Sequence, residues 1–192
     1  DTRRIHWPMS ARADDLGVRQ DEEPRQGRVT VVLDVAPTEG AEVFEAMVSA
    51  AASAAVAHWT RGDLVRLLTA AGHDTGWVTG RAALDQLLED LALVATDGAA
   101  DVGRVLTSTE RGPHSLVLVT AVRSGAVLTR LAAARATRVG GGTLTLVRFP
   151  GASDDRVDLA GVRVIEVDDR PFPTAWDAGV ARTGRPRTVG AP

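Results

Sequence analysis

Asp34 closes the apolar run Arg28-Val29-Thr30-Val31-Val32-Leu33-Asp34-Val35 and is the carboxylate best placed to do chemistry. At the end of such a strand it could act as a general base or help hold a divalent cation. A strand-end acid is more often a loop hydrogen-bond acceptor, and that reading stands beside the chemical ones. The other candidates are weaker. His6, His58, His73 and His114 fall at no zinc-ligand spacing, and each reads as a surface or satisfied core residue. Asp14-Asp15, Asp154-Asp155 and Asp168-Asp169 read as turn and cap residues, because adjacent loop acids rarely converge on one reacting atom. Gly140-Gly141-Gly142 stands between a helix and a strand, the wrong order for a phosphate cradle. No Gly-x-Ser-x-Gly elbow occurs, and Ser124 reads as an ordinary helix cap.

The composition removes further chemistries. The chain of 192 residues has no cysteine and no tyrosine, and its 22 basic residues are all arginine. Thiolate nucleophiles, cysteine zinc sites, Schiff-base lysines and phosphate-loop lysines are therefore excluded. A net charge of -3 with neither sign dominating argues against nucleic acid or an anionic membrane as the main partner. No apolar run approaches the roughly 18 to 20 residues that span a bilayer.

The elements that must position Asp34 follow from patterning. The five central residues, 29–33, are apolar or β-branched without clean alternation, which predicts a strand covered on both faces, as in a parallel sheet. Ligands of such sheets sit beyond the strands' carboxyl ends. Ala36-Pro37-Thr38-Glu39-Gly40 breaks the pattern, with Thr38 a candidate N-cap for a helix over residues 41–60. Phe44, Val48, Ala51, Ala55 and Trp59 make its predicted sheet-facing stripe. Strands are predicted over 63–69, 77–79 (short, antiparallel, at the edge), 114–120, 143–149 and 162–167. Helices are predicted over 80–94, 101–109, 124–138 and 174–183, the last opened by a capping box at Thr174 to Asp177. The sum is a three-layer doubly wound α/β fold with a mostly parallel six-stranded sheet and an antiparallel edge strand. Residues 1–27 read as an N-terminal arm, 28–183 as the domain and 184–192 as a frayed tail.

Two stretches carry a family resemblance. Asp1-Thr2-Arg3-Arg4-Ile5-His6-Trp7-Pro8-Met9-Ser10-Ala11-Arg12 resembles the signature of the domain of unknown function 58 family, in which Gly-Asp leads into Arg-x-Ile-x-Trp-x-x-Ser-Ala-Arg. Residues 28–34 with the following helix resemble the first strand and helix of a von Willebrand factor A domain. The match begins in the first residues of the signature, so more chain is expected before Asp1. Full-length relatives usually carry N-terminal membrane helices and a small β-rich region, beside genes for MoxR-type AAA ATPases. The resemblance thus implies the cytoplasmic, partner-binding part of a membrane-anchored adaptor.

Von Willebrand A domains often hold Mg²⁺ through Asp-x-Ser-x-Ser, a threonine before a middle helix and an acid after the fourth strand. Here Asp34 and Thr38 keep the first acid and last hydroxyl, while Ala36, Ala100 and Ala121 stand at the other three positions. Pro37 further restricts Ala36 to extended backbone. No functional metal site and no cofactor are therefore expected, although Asp101 could offer a substitute carboxylate.

The expected function is a non-enzymatic module that binds other proteins. Its surface is expected at the rim near Asp34, Thr38, Asp101 and Thr120, or on the arm bearing Arg3, Arg4, Trp7 and Arg12, since Trp and Arg dominate interface hot spots. The alternatives are an Mg²⁺-dependent ligand binder using Asp34, Thr38 and Asp101, and a hydrolase using Asp34 as base.

Overall fold

The computed structural model describes residues 27–38, 40–109, 114–121, 129, 131, 133, 142–149, 162–167 and 172–183. Five strands, β1 (Arg28–Leu33), β2 (Leu64–Thr69), β3 (Ser115–Thr120), β4 (Leu144–Arg148) and β5 (Arg163–Glu166), form one sheet in the order β2-β1-β3-β4-β5. Every strand pair is parallel. Helices α1 (Ala41–Thr60), α2 (Arg81–Leu93), α3 (Val102–Ser108) and α4 (Phe172–Thr183) flank the sheet. In β1 and β3 all residues but the first are buried, which accounts for the apolar runs without alternation.

α1 lies across β1, β2 and β3 with α2 beside it, and α4 packs on β5. The buried face of α1 is Phe44, Met47, Ala50, Ala51, Ala54, Ala55 and His58, whereas Val48 and Trp59 are only half-buried. The predicted stripe is thus rotated toward Met47. Alanine on both flanks gave too little apolar contrast to fix the face, and four small residues let the helix axis approach the sheet closely. α2 buries Leu84, Leu87 and Leu91 as its periodicity predicts.

The predicted short edge strand at 77–79 is corrected: among the described residues the sheet has five strands, not six, and no antiparallel member. Residues 73–78 instead return along the outer edge of β2 through isolated antiparallel bridges, Val65 to Val78 and Leu68 to Asp74. Gly76 and Gly80, both at positive φ, bracket a segment too short to build a ladder. The return is well tied. Thr69 N donates to His73 O at 2.9 Å, Thr75 N to Leu67 O at 3.1 Å and Val78 N to Val65 O at 2.7 Å. Leu67 N donates to the Thr75 hydroxyl at 3.0 Å. Arg66 forks the Asp74 carboxylate through Nε at 2.9 Å and Nη2 at 2.5 Å. Trp77 packs under the guanidinium groups of Arg28 and Arg66, 5.6 and 5.9 Å from its ring centroid.

Candidate functional site

Strand register assembles the rim. Leu33 pairs with Thr69 on one side and Val119 on the other, so the residues that follow β1, β2 and β3 emerge together. Asp34 N donates to Val119 O at 2.9 Å and Ala70 N to Leu33 O at 2.9 Å. The chain order along the sheet reverses between β1 and β3, the switch point where open α/β sheets bind ligands. Asp34 stands there on one side and Thr120 on the other.

The Asp34 carboxylate is 2 % exposed. Its Oδ1 accepts from Ala36 N at 3.0 Å, a local turn, and its Oδ2 accepts from the Thr120 hydroxyl at 2.6 Å across 86 residues of chain. A short contact between a hydroxyl and an ionised oxygen is the strong kind of hydrogen bond. Both oxygens therefore point inward to protein donors, and the carboxylate joins the ends of β1 and β3.

The remaining rim residues are placed by backbone bonds. Asp97 N donates to Val35 O at 2.7 Å and Asp101 N to Ala70 O at 3.1 Å, so the loop before α3 is stitched to the ends of β1 and β2. Asp101 caps α3, its Oδ1 accepting from Arg104 N at 3.1 Å. Asp97 holds its own turn through Ala99 N at 2.8 Å. It is a rim acid that the sequence reading missed, signalled only by the turn-forming Asp97-Gly98 pair. Thr38 is not the cap of α1. The N-cap is Gly40, with no side-chain bond, and the Thr38 hydroxyl donates to Gly40 O at 2.7 Å.

Asp34, Thr38, Asp101 and Thr120 thus belong to one end of the sheet, and a hydrogen bond joins Asp34 to Thr120. Arg3, Arg4, Trp7 and Arg12 lie outside the described residues, as do the rest of the arm up to residue 26, Ser124, the glycine pair 140–141 and the tail. Among the described residues, no three histidine or acidic side chains converge closely enough to hold a metal ion. Magnesium requires a near-octahedral shell of oxygens. At positions 34, 36, 38, 100 and 121 the chain offers one carboxylate already engaged twice, a threonine hydroxyl turned to nearby backbone, and three alanines, which do not fit that shell.

The three described histidines make local contacts. His73 Nε2 is 3.1 Å from Asp90 Oδ2, and His114 meets Trp77 edge to face at 6.2 Å between centroids. His58 is 9 % exposed near the C-terminus of α1, its Nδ1 2.8 Å from Asp63 Oδ2. Arg61 Nη2 lies 2.7 Å from Nδ1 and 3.2 Å from Nε2. One nitrogen cannot donate to Asp63 and accept from Arg61 at once, so the consistent arrangement has Nδ1–H donating to Asp63 and Nε2 facing Arg61.

Burial, helped by the Arg61 charge, holds the His58 pKa below its ordinary 6.5 despite the pull of Asp63. The unfolded chain then takes up a proton that the folded one resists. Stability is full above about pH 6.5 and falls as the pH drops below it, by at most ~1.4 kcal/mol per pH unit from this group. Urea midpoints measured from pH 7.5 down to 5 are expected to decline in the wild type and to flatten in His58→Gln. An unchanged slope in the variant would assign the decline to other groups.

The last helix begins at Phe172, which places Thr174 inside its first turn and not at a cap as the sequence suggested. With Phe172, Pro173, Trp176 and Asp177 it faces Ser53, Ala54 and Ala57 of α1 across a cleft of about 140 Å³.

The architecture and the rim define the class: a parallel α/β domain whose switch-point carboxylate is braced from within. The family described as Protein of unknown function DUF58 matches residues 1–175, and the chain belongs to it. No curated protein matches the chain. No helix among the described residues is long and apolar enough to cross a membrane.

Proposed function

We propose that this chain is a non-enzymatic protein-interaction module, a von Willebrand A-like domain that works without a metal and meets its partner at the strand carboxyl-end rim. The observation that carries this reading is the Asp34 carboxylate, 2 % exposed with Ala36 N and the Thr120 hydroxyl on its two oxygens. A general base needs an oxygen facing substrate, and a metal ligand needs one facing the cation. Asp34 faces neither way, so it shapes the rim while Asp97, Asp101 and the 36–38 turn present its surface. The choice of partner rests on the family resemblance: a MoxR-type AAA ATPase, with this chain as the cytoplasmic part of a membrane-anchored adaptor.

Thermal melts with EDTA, Mg²⁺ and Mn²⁺ test the metal-free reading. A cation that binds only the folded state raises the midpoint by mass action. The expected result is the same midpoint in all three. A rise of several degrees in the wild type that Asp34→Ala abolishes would replace this reading with an Mg²⁺-dependent binder. For the partner, calorimetric titration of the purified MoxR-type ATPase into the chain is expected to give saturable binding that Asp101→Arg weakens. Equal affinity in that variant would move the interface off the rim.

A further inference from the structure

The two sides of the sheet are finished differently. Residues 73–78 run along the outer side of β2, whereas among the described residues β5 pairs with β4 alone. Register shows which backbone groups β5 leaves over. Arg148 is aligned with Glu166, and Val167 N donates to Arg148 O at 2.8 Å. In a parallel ladder alternate residues face the neighbouring strand, so Ile165 and Val167 turn their backbone groups to β4. The N–H and C=O of Val164 and Glu166 therefore point out of the side of the sheet, where no described residue meets them.

A second observation on the same strand indicates the chemistry of what would lie there. Arg163 is half-buried, and its Nε is fully buried with no acceptor among the described residues. Buried donors are paired in nearly all folded proteins, and a guanidinium nitrogen pairs best with a carboxylate. The β4 side supplies none, because the residue aligned with Arg163 is Thr145. The acid nearest along the strand is already matched, Glu166 Oε1 standing 3.1 Å from Arg148 Nη1. Side chains opposite one another on adjacent strands lie about 5 Å apart, so an acid on a strand laid along the outer side of β5 reaches Arg163.

We propose that the outer side of β5 binds an extended segment of a partner protein, which adds to the sheet as a further strand with an aspartate or glutamate across from Arg163. Backbone bonds to Val164 and Glu166 supply the affinity, and the pair with Arg163 sets which segment is accepted and in what register. β3 and β4 separate this side from β1 and Asp34, so this site and the one at the rim can fail independently.

The test uses two short blocked peptides that alternate valine and threonine, one with a central glutamate and the other with a central lysine. Each is titrated into the protein to about 1 mM and followed by amide NMR. The glutamate peptide should saturate and bind about tenfold more tightly than the lysine peptide. Hydrogen exchange at the Val164 and Glu166 amides should be fast in the free protein and slow in the complex, while the Ile165 amide is slow in both. Arg163→Glu should reverse the preference between the peptides. Val164→Pro removes an outward N–H from an edge strand, where proline is tolerated, and should weaken the glutamate peptide about tenfold with little change in melting temperature. If that variant fails to fold, the charge reversal at Arg163 still decides. No binding of either peptide, equal binding of both, an unchanged preference in Arg163→Glu, or full binding by a folded Val164→Pro would overturn the proposal. So would slow exchange at Val164 and Glu166 in the free protein, which would mean that the chain itself or a second copy already covers this side.

Discussion

Thr120→Val is expected to lower the unfolding free energy by about 2–3 kcal/mol, although the substitution keeps the shape of the side chain. The hydroxyl it deletes lies 2.6 Å from Asp34 Oδ2 in a site where Asp34 is 2 % exposed and Thr120 is equally buried. Water cannot replace the donor there, so one oxygen of a buried carboxylate loses its partner. Such loss costs about 1–3 kcal/mol for a neutral group and more for a charged one. Thr120→Ser, which keeps the hydroxyl and gives up one methyl, should cost about 1 kcal/mol. The double variant Asp34→Ala, Thr120→Val isolates the pair: the two single costs should exceed the combined one by about 1 kcal/mol or more. Urea denaturation of the wild type, the three single variants and the double variant at neutral pH supplies all the numbers. Additivity would mean that the hydroxyl braces nothing.

Leu118→Ala is expected to be the most damaging single truncation, at about 3–4 kcal/mol. Val32, Leu118 and Leu146 sit in register across β1, β3 and β4, and all are fully buried. The central strand has neighbours on both sides and helices over the sheet, so little can move in to fill the space. Leu93→Ala removes the same atoms from the end of α2, where the residue is 83 % exposed, and should change stability by less than about 0.5 kcal/mol. A domain of this size loses about 2–4 °C of melting temperature per kcal/mol, so Leu118→Ala should melt roughly 6–15 °C lower. Against a total stability of about 5–15 kcal/mol, that is a large share. Equal melting of the two leucine variants would contradict the burial pattern.

Most of the architecture could be read from periodicity because the strongest signals are long. The twenty residues of α1 begin and end where the breakers at Gly40 and Arg61-Gly62 put them, and β3 contains the uninterrupted apolar run at 116–119. Misreadings came where local signals were short or uniform. Trp77-Val78-Thr79 has strand-forming residues, yet with glycines nearby on each side it can only bridge. The alanines of α1 concealed which face turns inward. Thr38 and Thr174 have cap-like identities, but the helices start at other residues, since a hydroxyl caps only where the backbone turn places it. For the site, the sequence pointed to Asp34 and Thr120 separately. Their contact depends on β1 and β3 being neighbours although β2 lies between them in the chain, a fact no local pattern contains.

The return of residues 73–78 along β2 has a consequence for the sheet as a whole. A parallel sheet left open at its side offers a row of unpaired amide and carbonyl groups onto which another extended chain can add. Along β2 that row is engaged at Val65, Leu67 and Thr69 by bonds with the returning segment. Arg66 and Asp74 put charge on the outside of the seam. The return acts as a selvedge, finishing the side of the sheet so that it does not grow by recruiting strands from neighbouring molecules.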